Sequence, residues 1–320
     1  MNAPTSTPSP SPSSLSIALC CNPADTEAWQ RGLLAALPHA EVSVWPVPSP
    51  RAQTAVVWSP SQAFMDAHPD LKLIFNMGAG VDALMRLRLP SQAQVVRIED
   101  GGMAVQMADY VCHALLRHFR EFDVYGQSQA QQRWAPRGPR NRRDFPVGVM
   151  GLGALGQRVA RSVAAFDFPV FGWSQSAKSI EGVQCLAGAG RFDEFLSKTR
   201  VLVCLLPLTE ATRDILNYQS LSKLQAGGYL INVARGSQLV EDDLLRLIDE
   251  GRMAGAALDV TRQEPLPPEH RFWTHPQIML TPHVSAQTLV QESIAQISEK
   301  VRAAVAGEPL RGVVDTGRGY

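Results

Sequence analysis

VGVMGLGALGQ, Val147–Gln157, is the stretch that decides the fold. It opens on an apolar run, Val147–Met150, read as a buried strand. Gly151, Gly153 and Gly156 follow in a G-x-G-x-x-G pattern, with Ala154 and Leu155 between the last two. Leu155, Val159 and Val163 then recur at helical spacing. A strand, a tight glycine turn and a helix N-terminus together make a cradle for the pyrophosphate of a dinucleotide. In that reading Gly151 makes the turn, Gly153 lets the backbone approach the phosphates, and Gly156 lets helix and strand pack closely. Glycine patterns also recur by chance in plain strand–turn–helix units. The strand before this one and the amphipathic helix after it favour nucleotide binding.

The next strand complicates the choice of nucleotide. An Asp or Glu about 20 residues past the glycines commonly holds the adenosine ribose. FGWSQSAK, Phe171–Lys178, contains no acid. Ser174, Gln175, Ser176 and Lys178 stand there instead. The two hydroxyls can donate to phosphate oxygens and Lys178 adds a point charge. Nothing here repels a 2′-phosphate, so NADP(H) is the preferred cofactor and NAD(H) remains possible. Trp173 reads as packing.

Working outward, the strand candidates after the glycines are Val170–Trp173, Val201–Leu206, Tyr229–Val233, Ala256–Val260 and Ile278–Leu280. With Val147–Met150 they make six, the complement of a full dinucleotide fold. An earlier series, at 16–20, 42–45, 55–58, 71–76 and 95–98, alternates with helical stretches and carries no phosphate loop. Asp25 reads as the cap of a helix to Leu37, which Pro38 stops. Alternation of β and α implies parallel sheets. Helices are expected over Met103–Phe119, from Glu121 to about Gln132, and from about Ser285 to Ala306. Between the second helix and the glycine strand lies RWAPRGPRNRR, whose five arginines read as a solvated loop before a nucleic-acid patch.

A chain of 320 residues has room for about two domains, each with its own core. Thirty basic residues balance thirty acidic ones, which points to neither nucleic acid nor a membrane surface. The apolar runs are too short to span a bilayer. Residues 1–14, rich in Pro, Ser and Thr, read as a disordered tail without signal-peptide character. Cys20 and Cys204 sit in apolar runs as buried thiols. An odd count of five cysteines with no C-x-x-C suggests a reducing compartment and no metal site.

Three residues carry the chemistry. Arg235, in INVARG, follows a strand, and its planar guanidinium suits a carboxylate; the plain alternative is a salt bridge to Glu241 or Asp242. Glu264 follows the next strand in a Pro-rich loop, where a solvated acid is the simpler reading. His283, in TPH, follows the last strand, where it could equally cap a helix. Together they are more specific than any one alone. They supply a cation for a carboxylate, an acid–base and an acid to orient that base. Reduction of a ketone needs a proton donor for the developing alkoxide.

GLGALG, NVARG, ALDV with EPLP, and TPH, in this order, resemble the D-2-hydroxyacid dehydrogenase family. GAGVD (Gly78–Asp82), EDGGM, QEPLPPE and the closing VDTGRGY resemble its glyoxylate/hydroxypyruvate reductase A type. The resemblance implies two Rossmann-like, doubly wound parallel-sheet domains of the α/β class, with the active site in the cleft between them. Residues 15–104 plus 288–320 would form the substrate domain and 105–287 the dinucleotide-binding domain. It implies Arg235 on the substrate carboxylate and keto oxygen, His283 as proton donor and Glu264 as its partner. Backbone N–H groups of Ala79 and Gly80 would also bind the carboxylate. Ala234, Arg235 and Asp259 would meet the nicotinamide, and Leu206, Pro207 and Thr212 the adenine and ribose side. Trp134 would reach the partner subunit's substrate site or make a plain dimer contact. Relatives of this type carry arginines at the places of Gln175 and Ala177. The implied protein is a cytoplasmic, homodimeric reductase of small 2-oxo acids. A dinucleotide-sensing binding protein or corepressor on the same fold is the alternative.

Overall fold

The computed structural model describes residues 15–315 and 317. The expected tail, residues 1–14, and part of the closing VDTGRGY lie outside the described residues. The chain divides into two compact units. One runs to Gly101 and resumes at Leu289; the other is Gly102–Thr288.

In the first unit, β1 (Leu15–Cys20), α1 (Thr26–Ala36), β2 (Ala40–Val44), β3 (Thr54–Val57), α2 (Gln62–Asp66), β4 (Leu73–Asn76) and β5 (Gln94–Arg97) follow one another. All strand pairs are parallel, in the order β2-β1-β3-β4-β5. β3 is buried along its whole length, because a parallel strand inside a sheet is covered on both faces. Asp25 makes no capping hydrogen bond. A 3-10 turn over Pro23–Asp25 leads into α1 and leaves Asp25 in helical backbone geometry, so its side chain is not aimed at the free N–H groups. Cys20 is half-buried at the strand end.

The second unit begins with α3 (Met103–Phe119) and α4 (Phe122–Ala130). Then come β6 (Val147–Met150), α5 (Ala154–Ala164), β7 (Val170–Ser174), β8 (Val183–Ala187), α6 (Phe192–Ser197), β9 (Val201–Cys204), α7 (Tyr218–Leu221), β10 (Gly228–Asn232), α8 (Glu241–Asp249), β11 (Met253–Leu258) and β12 (Ile278–Leu280). The sheet is parallel, in the order β12-β11-β10-β9-β6-β7-β8. It has seven strands where the sequence suggested six. β8, VQCLA, is a partly exposed edge strand whose polar Gln184 interrupts the apolar run that marks a buried strand.

Successive strand residues enter opposite cores, as a pleated strand requires. Val149, Val203 and Ile231 pack with Val111 and Leu115 of α3 and Val159 and Val163 of α5. Met150, Leu202 and Leu230 pack on the other side with Phe195 of α6, Leu221 of α7 and Leu244 of α8. The final helix, α9 (Val290–Val305), returns the chain to the first unit. It starts later than Ser285, because the Ser285 N–H bonds the Asp259 carboxylate at 2.9 Å and keeps that segment in a loop.

The arginine-rich loop is exposed along nearly all of its length, as a solvated loop should be, and some of its arginines also find partners. Arg137 and Arg140 converge on the Glu121 carboxylate at 2.9 and 2.7 Å, and Arg142 lies over the Phe119 and Phe168 rings. Nearby, His118 stacks on Tyr229 with ring centroids 4.0 Å apart. Burial, reinforced by the Arg140 guanidinium, pushes its imidazole down to about 4.

A buried neutral imidazole binds fewer protons than the unfolded chain does between its ordinary value near 6.5 and about 4. Stability is therefore lost as pH falls through that window and levels off below it, by on the order of 3 kcal/mol for this group. Melting temperatures measured from pH 7 to pH 4 should fall less steeply in His118→Phe, which keeps a stacking ring without the titration. Parallel curves for the two proteins would show that His118 does not contribute.

Candidate active site

Apart from Trp134, the side chains singled out in the second unit stand at or beyond the carboxyl ends of its parallel strands. The glycine turn follows β6, Ser174 ends β7, and Leu206 and Pro207 follow β9. Ala234 and Arg235 follow β10, Asp259 and Glu264 follow β11, and His283 follows β12. From β6 the chain builds β7 and β8 on one side, then crosses to β9 on the other. The strand order thus reverses between β6 and β9, where open α/β sheets bind ligands.

The glycines divide the labour. Gly151 has φ +95°, and a Cβ there would lie 2.7 Å from the Leu205 carbonyl oxygen. A Cβ on Gly156 would lie 1.8 Å from the Gly151 carbonyl oxygen, so only glycine lets α5 close onto the turn. At Gly153 an added Cβ would meet nothing within 4 Å. That position is exposed at the head of α5, with Ala154 and Leu155 in the helix's first turn. The cradle fits a dinucleotide pyrophosphate by shape and by the free N–H groups of a helix N-terminus.

Past β7, Trp173 is buried and its indole donates to the Gly188 carbonyl, as a packing residue. The Ser174 hydroxyl donates to the Ser176 carbonyl at 2.8 Å. That bond closes the turn after β7. Gln175, Ser176 and Lys178 are exposed. Thr212 is likewise a brace: its hydroxyl donates to the Pro207 carbonyl at 2.7 Å and folds the loop after β9 upon itself.

Beyond β11 and β12, hydrogen bonds join the acid–base residues directly. His283 Nδ1 lies 2.8 Å from Glu264 Oε2, and the Thr261 N–H donates to Glu264 Oε1 at 3.1 Å. Both carboxylate oxygens are thus held, and no described residue bonds His283 Nε2. His283 itself sits at φ +56°, in the left-handed region a branched ring rarely occupies. Its N–H donates to the Asp259 carbonyl at 2.8 Å.

The Asp259 side chain completes the hold. Buried to 1% exposure, it accepts from the Thr281 hydroxyl at 2.7 Å and from the N–H groups of Val284 and Ser285 at 2.8 and 2.9 Å. Since Thr281 gives its only hydroxyl hydrogen to Asp259, Tyr110 must donate to Thr281, across 2.6 Å. Burial pushes the Tyr110 phenol up to about 12, so it keeps that hydrogen. Asp259, expected at the nicotinamide, therefore anchors the chain on both sides of His283.

On β10, buried Asn232 donates to the Arg235 carbonyl at 3.2 Å and accepts from the Ala234 N–H at 3.2 Å, shaping the turn that carries the guanidinium. Glu241, offered as a salt-bridge partner for Arg235, instead accepts from the Arg262 N–H and lies near His270. In the first unit, Asn76 at the end of β4 draws the Gly78 and Gly80 carbonyls inward at 2.8 and 2.9 Å. No described residue accepts from the N–H groups of Ala79 or Gly80. Trp134 stands on the loop after α4 with 97% of its surface exposed.

Asn76, Asn232, Gln238 and Thr281 escaped the sequence reading. Their signal was available: a polar side chain inside or just past an apolar strand must find partners there. Among the described residues, no three His, Cys, Asp or Glu side chains gather as metal ligands, and no helix is long and apolar enough to cross a membrane.

The NAD binding domain of the D-isomer specific 2-hydroxyacid dehydrogenases matches residues 112–285. The chain belongs to that family. Among relatives of this dehydrogenase, glyoxylate/hydroxypyruvate reductase A of Serratia proteamaculans is 44% identical over 92% of this chain and 97% of its own. The Yersinia enterocolitica protein of the same name is 40% identical over the same shares. A D-isomer specific 2-hydroxyacid dehydrogenase from Xanthobacter autotrophicus, solved with NADPH and MES, superposes with a TM-score of 0.92 at 35% identity, covering 96% of this chain and all of that one. An NADPH-dependent glyoxylate/hydroxypyruvate reductase from Sinorhizobium meliloti, solved with NADP and sulfate, gives 0.90 at 35% identity over 95% of this chain and all of its own.

The glycine geometry separates packing from ligand approach. Gly156→Ala should overpack α5 against the turn, at a cost of about 1–3 kcal/mol and several degrees of melting temperature. It should also lose dinucleotide affinity. Gly153→Ala should melt like the parent and lose affinity only, because its methyl enters the space where a phosphate would lie. Calorimetric melting and a dinucleotide titration on both variants check this; a large melting loss in Gly153→Ala would contradict it.

Proposed function

We propose that this dehydrogenase reduces small 2-oxo acids, glyoxylate and hydroxypyruvate first, to 2-hydroxy acids with NADPH. The observation that carries the reading is the 2.8 Å His283–Glu264 pair, with Nε2 bonded by no described residue, on the sheet edge that also bears Arg235 and the glycine cradle. Similarity to reductases of that name supports the substrate class.

When bound, the nicotinamide supplies a hydride to the keto carbon. His283 gives the Nε2 proton to the oxygen as charge develops there, and Glu264 favours the imidazolium and holds the ring. Arg235 grips the carboxylate with its planar fork and polarises the carbonyl. The N–H groups of Ala79 and Gly80 also suit a carboxylate. The unit that ends at Gly101 and resumes at Leu289 is assigned to substrate and residues 102–288 to dinucleotide. We assign a homodimer with Trp134 as a contact to its partner, and a cytoplasmic setting that suits five unpaired cysteines.

His283→Ala should lower kcat for glyoxylate reduction by roughly 10²–10⁴ while NADPH binding persists. Turnover like the parent's would remove His283 as donor. NADPH binding by the parent without turnover of any 2-oxo acid would favour the dinucleotide-sensing role instead.

NADPH should be preferred to NADH, but modestly, because Gln175 and Ala177 stand at places where the family resemblance often implies arginines. Gln175→Arg should raise kcat/KM for NADPH about tenfold, one charge-assisted hydrogen bond being worth about 1.5–3 kcal/mol, and leave NADH unchanged. The comparison belongs at one fixed salt concentration, since exposed phosphate contacts are screened. A clear NADH preference in the parent would overturn the assignment.

A further inference from the structure

We propose that Gln238 is a positioning residue that holds the Arg235 main chain and the Leu206–Pro207 loop in register for substrate and cofactor; the proposal rests on the reductase reading above. Gln238 has no exposed surface. Its carboxamide faces two loops that follow adjacent strands. Nε2 donates to the Leu206 carbonyl at 2.9 Å and the Pro207 carbonyl at 3.1 Å. Oε1 accepts the Arg235 N–H at 3.2 Å and the Cys204 thiol at 3.4 Å.

The partners fix the orientation of the amide. Two carbonyl oxygens can face only its NH₂, and an N–H can face only its oxygen. The thiol agrees, because burial pushes Cys204 up to about 12 and keeps the S–H as a donor.

The sheet makes this connection necessary. β9 and β10 are paired as far as Cys204 and Asn232. Their last link, from the Val233 N–H to the Cys204 carbonyl, is already stretched to 3.4 Å. Beyond it the chains part: the Leu205 N–H turns to Met150 of β6, and the Arg235 turn is shaped by Asn232 on its own strand. Gln238 supplies the cross-strand hydrogen bonds where the ladder has ended. Its segment is tied independently, since the Leu216 N–H donates to the Gln238 carbonyl at 2.9 Å. The carboxamide is therefore a fixed strut. One end bears on the loop assigned to the adenosine side, the other on the residue assigned to the substrate carboxylate.

Gln238→Met keeps the length and volume and removes all four hydrogen bonds. It should raise the dissociation constant of NADPH and the KM for glyoxylate by about tenfold each, the worth of one or two buried hydrogen bonds. In an Arg235→Ala background the same change should raise the glyoxylate KM less than about twofold, because residues acting through one another are not additive. If Arg235→Ala turns over too slowly, oxamate binding to the NADPH complex, followed by tryptophan fluorescence, completes the cycle. Gln238→Glu, a second variant should the first not fold, keeps an acceptor for the Arg235 N–H and loses both donors. It should weaken NADPH more than glyoxylate.

A lower melting temperature with unchanged NADPH affinity and unchanged KM would reduce Gln238 to a structural residue and overturn the proposal. Equal losses with and without Arg235 would do the same. Failure of the parent to reduce any 2-oxo acid would sink the reductase reading alone, since the NADPH titration still reports on the Leu206–Pro207 loop.

Discussion

Seven parallel strands must all end on the same edge, and where the chemistry stands in the second unit follows from that constraint. A hairpin would send alternate loops to opposite edges. A parallel strand instead returns by a helix on one face, so each crossover brings a new loop to the carboxyl end. Glycine turn, arginine, acid and histidine are far apart in sequence and share an edge because each crossover, by helix or by loop, carries the chain back to the amino end of the next strand. Helices can cover both faces because the central strands are apolar on both, with Val149 in one core and Met150 in the other.

The edge needs a second device, because loops past the last ladder bond have no sheet to hold them. Buried carboxylates and carboxamides take over. Asp259 fixes the chain on both sides of His283, Asn232 shapes the Arg235 turn, and Asn76 curls the Gly78–Gly80 loop in the other unit. Each is an acceptor or donor taken out of water, so each must be fully used. The bonds that Asp259 makes on either side of it also hold His283 in a left-handed backbone that residues with a side chain seldom adopt.

Much of this was legible in the sequence. Strands such as Val147–Met150 and Ile278–Leu280 announce themselves as short apolar runs bounded by glycine or proline, and α3 by its period. The glycine positions were readable because backbone geometry at Gly151 and Gly156 admits nothing else. Three kinds of feature were not. The edge strand β8 is half-exposed and lacks an apolar signature. The start of α9 is set by Asp259, which lies some thirty residues earlier, and no local pattern at Ser285 reports that bond. The local bonds that the Ser174 and Thr212 hydroxyls make to the Ser176 and Pro207 carbonyls depend on turns whose shape no sequence pattern reports.

The return of α9 to the first unit bears on how the protein is made. Ile294, Ile297 and Val301 of α9 are buried, and the Ile294 methyl end lies against Gly32 of α1. At translation rates of roughly 5–20 residues per second, α9 emerges on the order of ten seconds or more after β5. Until that interval ends α1 has no α9 to pack on, and by its end the residues of the second unit, contiguous from Gly102 to Thr288, have all been synthesised. The nascent chain therefore acquires its dinucleotide-type sheet first and closes its N-terminal sheet last, so any chaperone engaged during synthesis would be expected to hold the earliest residues longest.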